Sequence, residues 1–193
     1  MELNEPIAIR IHGRGGQGAV TLAEVVAQAA IGEGKYAQAF PSFGPERRGA
    51  PVQAYIRIDD NKPTRNRAGV VYPDVVVVLD PGLLNIVNVT AGLKEDGMLV
   101  INTRQALDSI DIKLGDNQKL AVIDATSIAK ETLGVPIVNT TMIGALVKAK
   151  GVVNVESLLE PLNKRFGRLA EKNISAMKKA YENTLIKEKK AIG

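Results

Sequence analysis

The sequence predicts an α/β fold. Residues 1–193 read as a single three-layer domain, with a mixed, mostly parallel sheet, helices on both faces and a Rossmann-like first βα unit. Three observations carry this. Apolar β-type runs alternate with helix-length stretches along the chain, the pattern of a largely parallel sheet. Val75-Val76-Val77-Val78-Leu79 is a β-branched run without polar alternation, as expected of a central strand covered on both faces. The cluster Gly13, Gly15, Gly16 and Gly18 stands between the apolar run Ile7–Ile11 and the apolar helical stretch from Ala19. In that context a chain presents backbone N–H groups and a helix N-terminus to phosphate.

The elements follow in order. Residues 6–12 form the first strand, and a helix runs from about Gln17 to Ile31. Tyr36 to Phe43 is the second strand. Residues 42–51 are a loop, broken by two prolines and two glycines. Val52, Ala54, Ile56 and Ile58 alternate with Gln53, Tyr55 and Arg57, so this strand is expected to be half-exposed. The turn Asp59–Pro63 then predicts an antiparallel hairpin over 52–68, which makes the sheet mixed. Asp80-Pro81-Gly82 ends the central strand, and a short helix is expected over 83–90. Met98–Ile101 and Leu120–Ile123 are further buried strands. Ser127–Leu133 and Thr141–Lys150 are helices. The basic C-terminal segment, about 155–190, reads as two helices over 155–166 and 168–190.

Composition narrows the chemistry. With 45% apolar and 24% charged residues the chain is an ordinary globular protein, and its core must come from Val, Ile, Leu and Ala because aromatics are only 4%. There is no cysteine, which excludes disulfides, catalytic thiols and cysteine-ligated iron–sulfur clusters. His12 is the only histidine, so a histidine-rich metal site is excluded and no metal is expected. The N-terminus lacks the pattern of a signal peptide, and the longest apolar run is too short to span a bilayer. The expectation is a cytoplasmic protein without membrane contact. The net charge of +4 arises in residues 151–193, which hold nine Lys or Arg against five Glu. Few aromatics accompany them, so a solvated helix face is expected rather than nucleic-acid binding.

Three segments carry candidate chemistry. Gly13-Arg14-Gly15-Gly16-Gln17-Gly18 has the G-x-G-x-x-G spacing of a pyrophosphate loop. A nicotinamide site would place a carboxylate at the end of the next strand, about 20 residues on. Tyr36–Phe40 has none. A dinucleotide, another phosphate or pyrophosphate compound, and close packing or an interface remain as alternatives for the loop. Arg47 and Arg48 stand on a loop flanked by Gly44 and Gly49, where they offer forked donors to phosphate or form a surface pair with Glu46. Asn139-Thr140-Thr141 precedes an apolar helix, with Asn139 or Thr140 as its N-cap. His12 has no paired carboxylate nearby in sequence and is expected to orient backbone rather than to perform acid–base chemistry.

Taken together, these segments resemble one family. His12–Gly18 is similar to the N-terminal signature of the gamma subunit of 2-oxoacid:ferredoxin oxidoreductases. Phe40–Val52 resembles that family's internal motif, and Pro136–Leu146 its C-terminal signature; Asp74–Asp80 also fits. The resemblance extends from the first strand to about residue 160. It implies a multi-subunit enzyme that oxidatively decarboxylates a 2-oxoacid, forms acyl-coenzyme A and CO2, and passes electrons to ferredoxin. It also implies that this chain is not catalytic alone, and no catalytic residue is assigned. Coenzyme A is the implied co-substrate. Thiamine diphosphate and the iron–sulfur clusters are implied in partner alpha, beta and ferredoxin-like delta subunits, with no cofactor tightly bound here. Arg47-Arg48-Gly49-Ala50-Pro51-Val52 resembles the pyruvate or branched-chain 2-oxoacid type. The candidate cofactor-binding residues are Gly13, Arg14, Gly15, Gly16, Gln17, Gly18, Arg47, Arg48, Asn139 and Thr140, with the glycine loop and the arginines expected to line a surface for coenzyme A or for the thiamine-bearing partner. The alternatives are a stand-alone NAD(P)-binding oxidoreductase and a non-catalytic scaffolding subunit.

Overall fold

Strand β1 (Ile7–Arg14) is paired on both sides, antiparallel to β3 (Pro51–Asp59) and parallel to β4 (Val75–Val78). The remaining strands are β2 (Tyr36–Pro41), β5 (Met98–Asn102), β6 (Lys119–Ile123) and β7 (Leu185–Lys187). They form one seven-stranded sheet in the order β2-β3-β1-β4-β5-β6-β7. Only β3 and β7 run against the other five, so the sheet is mixed and mostly parallel. The structure, a computed structural model, describes residues 5–42, 48–64 and 66–187.

Alternation along the strands sorts side chains to two faces. Ile9, Ile11, Ile56, Val75, Val77 and Val100 pack into one cluster with Leu22 and Val26 of α1 (Ala19–Gly32) and with Met142, Ile143 and Leu146 of α3 (Asn139–Lys150). Helices α2 (Ala125–Leu133), α4 (Leu159–Phe166) and α5 (Ala170–Asn183) join the same face. On the other face Val76, Val78, Leu99 and Ile101 meet Leu83, Val89 and Leu93. The central run is thus buried on both sides, as expected. The expected three layers are present, with one correction. The second face is covered by 3-10 turns at Pro81–Asn85 and Leu107–Ser109 and by irregular chain, not by α-helices.

Other elements depart from expectation for local reasons. The expected helix over 83–90 is instead the short 3-10 turn, begun by Asp80, whose Oδ1 accepts the Gly82 N–H at 2.8 Å. The hairpin expected over 52–68 does not form. The antiparallel partners of β3 are β1 and the preceding strand β2, and no strand follows it among the described residues up to Asp74. Nor is β3 half-exposed: Ala54 to Asp59 are all buried. Its polar face holds Arg57, whose guanidinium donates to the Asn66 and Ala68 carbonyls at 2.7 and 2.8 Å and lies 5.2 Å from the centre of the Phe40 ring. A buried cation with acceptors satisfies its donors as water would. The helix expected to reach residue 190 stops at Asn183, and β7 adds an antiparallel edge to β6. Asp124 caps α2 by accepting the Ser127 N–H at 2.9 Å. The N-cap of α3 is Val138, not Asn139 or Thr140, and Asn139 is the first helical residue. Lys164, Arg165, Arg168, Lys172 and Lys178 face solvent, while Ala176, Met177 and Ala180 bury the other side of α5.

Two features of the fold are sensitive to single changes. A Cβ on Gly144 would stand 2.0 Å from the Met177 carbonyl oxygen and 2.9 Å from the Tyr181 nitrogen, so α3 and α5 touch through backbone. Gly144→Ala should cost about 3 kcal/mol of stability by forcing these helices apart, read by chemical denaturation. The second feature is Arg10 with His12, both buried on the face opposite the α-helices. The Arg10 guanidinium donates to the carbonyls of Val70 (3.1 Å) and Val89 (3.0 Å), and its Nε donates to His12 Nε2 at 3.1 Å. Burial, then the adjacent Arg10 cation, lowers His12 from 6.5 to about 4, so the folded imidazole is neutral. Between about 4 and 6.5 the unfolded chain therefore binds the extra proton, and stability rises with pH. The His12 contribution is complete above the unfolded value and is lost as pH falls towards about 4, amounting to about 3 kcal/mol. Denaturation between pH 4 and 7 should show this slope in the native chain and its loss in His12→Asn, which keeps an acceptor for Arg10.

Candidate functional site

The carboxyl ends of β1, β4, β5 and β6 share one edge of the sheet. From β1 the chain leaves through α1 towards β2 on one side, whereas β4 lies on the other. That divergence puts the end of β1 at the usual ligand position of open α/β sheets. The glycine cluster fills this position.

Each glycine has a separate task. Gly13 is the penultimate residue of β1; a Cβ there would stand 3.2 Å from Leu79 Cδ1 and 3.5 Å from Ala19 Cβ, so it permits close strand–helix packing. Gly15 forms a parallel bridge with Arg48: its N–H donates to the Ala50 carbonyl at 2.9 Å, and its carbonyl accepts the Gly49 N–H at 3.2 Å. Gly16 is exposed at φ +93°, and a Cβ there would meet no heavy atom within 4 Å. Gly18 is the N-cap of α1 at φ +80°. A side chain there would also collide with Asn139, since its Cβ would stand 2.5 Å from Asn139 Nδ2. Only glycine satisfies both the left-handed backbone and that contact.

Loop amides are partly consumed within the protein. The Arg14 N–H donates to Gln17 Oε1 at 2.8 Å, and the Gln17 N–H to the Arg14 carbonyl at 3.0 Å. Arg14 Nε pairs with Asp80 Oδ2 at 2.8 Å, and Gln17 Nε2 donates to the same oxygen at 3.2 Å. Arg14 Nη1 donates to the Gly49 carbonyl at 3.1 Å. The N-terminus of α1, by contrast, has no side-chain cap. Nor does that of α3, where Asn139 Oδ1 accepts the Thr140 N–H at 2.8 Å. The Gly18–Asn139 contact brings these two uncapped helix starts together. Their partial positive charges add at that point. Asn139 is buried, with its amide set against Gly18.

The structure thus brings Gly13, Arg14, Gly15, Gly16, Gln17, Gly18, Arg48 and Asn139 into one region. Arg48 is exposed, one backbone pairing away from Gly15. Thr140 is turned elsewhere: it is fully buried, and its hydroxyl donates to Asn173 Oδ1 on α5 at 2.8 Å. Arg47 lies outside the described residues, with Phe43 to Glu46. His12 is neutral and accepts from Arg10 Nε of its own strand, with its Nδ1 3.5 Å from Gln53 Nε2 on β3; its ring thus meets side chains, where an orienting contact to backbone was expected. Sequence reasoning used Asp80 as a strand terminator and as the end of a family segment, and missed its link to Arg14 and Gln17. The one available signal was a carboxylate directly after a fully apolar strand. The nicotinamide alternative loses further ground, because β3 separates β2 from β1 and no carboxylate is offered beside the loop from β2. Among the described residues no group of three or more His, Asp or Glu is placed to hold a metal ion. Among them, too, no helix is long and apolar enough to cross a membrane.

Comparison with known proteins agrees with the geometry. Residues 8–183 match the family described as pyruvate ferredoxin/flavodoxin oxidoreductase. The pyruvate/ketoisovalerate oxidoreductases common subunit gamma of Thermococcus litoralis is 55% identical over 184 residues, covering 94% of this chain and 99% of the relative. The pyruvate synthase subunit PorC of Methanothermobacter thermautotrophicus is 55% identical over 177 residues, covering 91% and 94%. The crystal structure of the pyruvate oxidoreductase subunit PORC of Thermotoga maritima superposes with a TM-score of 0.84 at 40% identity, covering 96% of this chain and all of that one. With the motifs, the sheet order and these relatives in agreement, the chain belongs to the pyruvate ferredoxin/flavodoxin oxidoreductase family, as a gamma-type subunit of a multi-subunit 2-oxoacid:ferredoxin oxidoreductase.

Proposed function

We propose that this chain presents a coenzyme A-facing surface to the reaction, at the junction of the α1 and α3 N-termini beside Arg48. The observation that carries the reading is the Gly15–Arg48 bridge, which joins two phosphate-competent loops into one region. Coenzyme A carries a pyrophosphate and a 3′-phosphate. The residues present fit such a group: two helix starts without side-chain caps, an exposed Gly16 that offers open space, the Asn139 amide beside Gly18, and an exposed guanidinium. These groups would bind and orient the phosphates as a preorganised donor set. When bound, coenzyme A supplies the thiol that accepts the acyl group.

The rest of the reaction belongs to partners in this reading. Absence of cysteine leaves this chain no means of ligating a cluster. Thiamine diphosphate and the iron–sulfur clusters are then carried by alpha, beta and ferredoxin-like delta chains, with ferredoxin as acceptor. The whole chain acts as one gamma-type unit in the cytoplasm. The pyruvate or branched-chain substrate class rests on the Arg47–Val52 motif and on the names of the relatives.

In the assembled enzyme, Arg48→Ala should raise the KM for coenzyme A about tenfold, the effect of losing one charge-assisted contact at a partly solvated site. The KM for the 2-oxoacid should hold. Unchanged coenzyme A kinetics with normal assembly would remove the co-substrate role and leave an interface role for this surface. Calorimetry with NADH and NADPH should detect no binding to the chain; micromolar affinity would favour the stand-alone oxidoreductase. Affinity capture of the native chain should bring down a thiamine-binding chain and a cysteine-rich ferredoxin-like chain.

A further inference from the structure

Asp80 lies at the exit of β4 and is not among the residues assigned to the phosphates. Its two oxygens are divided between elements. Oδ1 accepts the Gly82 N–H at 2.8 Å, while Oδ2 accepts Arg14 Nε at 2.8 Å and Gln17 Nε2 at 3.2 Å. Arg14 continues the chain of contacts to the Gly49 carbonyl, and its own N–H is held by Gln17. One carboxylate therefore links the end of β1, the approach to α1, the Arg48–Ala50 turn and the exit of β4. Gly82 makes room for it: a Cβ there would stand 3.0 Å from Asp80 Oδ1 and 3.4 Å from Arg14 Nη2.

We propose that Asp80 is a positioning residue for coenzyme A: by holding Arg14 and Gln17 it sets the gap between the uncapped start of α1 and Arg48. The inference rests on the coenzyme A reading of this surface. Its physical basis is that Gly15, Gly16 and Gly18 have no side chains with which to hold their own backbone, and glycine gives up the most freedom when ordered. A loop of this kind binds tightly only if something else has already ordered it. The Arg14–Asp80 pair is suited to that local task. Its side chains are 32% and 22% exposed, so the pair is partly buried and holds one geometry. It also cancels the Arg14 charge, so the field at the site comes from Arg48 and the helix starts.

The test uses the assembled enzyme. Asp80→Ala should raise the KM for coenzyme A about tenfold, and calorimetry of the complex should show an equal loss of coenzyme A affinity. The KM for the 2-oxoacid should stay where it is. Asp80→Asn, which keeps an acceptor oxygen, should give a smaller shift. Arg14→Ala should match Asp80→Ala, and the double variant should be no worse than either, because both remove one strut. Additive effects, a shift extending to the 2-oxoacid, or unchanged coenzyme A affinity would each overturn the inference. If Asp80→Ala does not assemble, Arg14→Lys takes its place. Lysine lacks the separate Nε and Nη1 donors with which Arg14 reaches Asp80 and the Gly49 carbonyl in one fixed fork, so a selective loss of coenzyme A affinity is expected and its absence is decisive against the strut. A response to Arg48→Ala with none to the Asp80 variants sinks this inference and leaves the coenzyme A reading standing. No response to either sinks both.

Discussion

Strand β1 is held between an antiparallel neighbour and a parallel one, and its alternation determines what lies on each side of the sheet. Ile9 and Ile11 enter the core under α1 and α3. Arg10 and His12, one residue out of phase, enter the opposite face, where the guanidinium gathers carbonyls from around residues 70 and 89. A slip of one residue would bury two polar, nitrogen-bearing side chains among the helices and turn the isoleucines to the loops. Register on β1 also fixes where the glycine cluster emerges, since that cluster is the strand's own continuation. Both the layer that covers the far face and the loop at the carboxyl edge therefore depend on this one pairing.

The glycine loop belongs to the architecture as much as to a ligand. Gly13 and Gly18 are required by packing, against Leu79 and Asn139 respectively, and Gly15 by its pairing with the Arg48–Ala50 turn. Only Gly16 is left open to solvent. A dinucleotide fingerprint uses its glycines to admit a pyrophosphate beside the next parallel strand. Here an antiparallel strand occupies that flank, and the same spacing serves to bring a second loop and a second helix start to the first. The packing and phosphate interpretations of the motif are compatible, because the contacts that order the loop are the ones that would preorganise it.

Much of the fold was legible because it depends on local pattern. The unalternated valines at 75–78 could only be a covered central strand, and the Gly13–Gly18 spacing between strand and helix put the glycine loop at the end of β1. The family motifs at 40–52 and 136–146 were legible for a different reason: they are strings of specific residues rather than periodicities. Errors fell where a polar residue is buried or a helix is replaced by a turn. Arg57 looked solvent-facing because its carbonyl partners lie about ten residues away in sequence; at 83–90 apolar spacing imitated a helix, although Pro81 and the Asp80–Gly82 bond favour a 3-10 turn.

The sequence by itself determined the class of fold and the absence of any cysteine-held cluster, because each follows from residue type and short-range spacing, and its motifs resembled one family. Tertiary structure alone decided which of those motifs meet. It turned Thr140 towards α5, set Asn139 against Gly18, placed Arg48 beside Gly15, and drew Asp80 from a strand end into the support of the loop. Those contacts join residues 33 to 121 positions apart, and no local pattern encodes them. They exist because the parallel strands align their carboxyl ends on one edge, so that segments remote in the chain converge there.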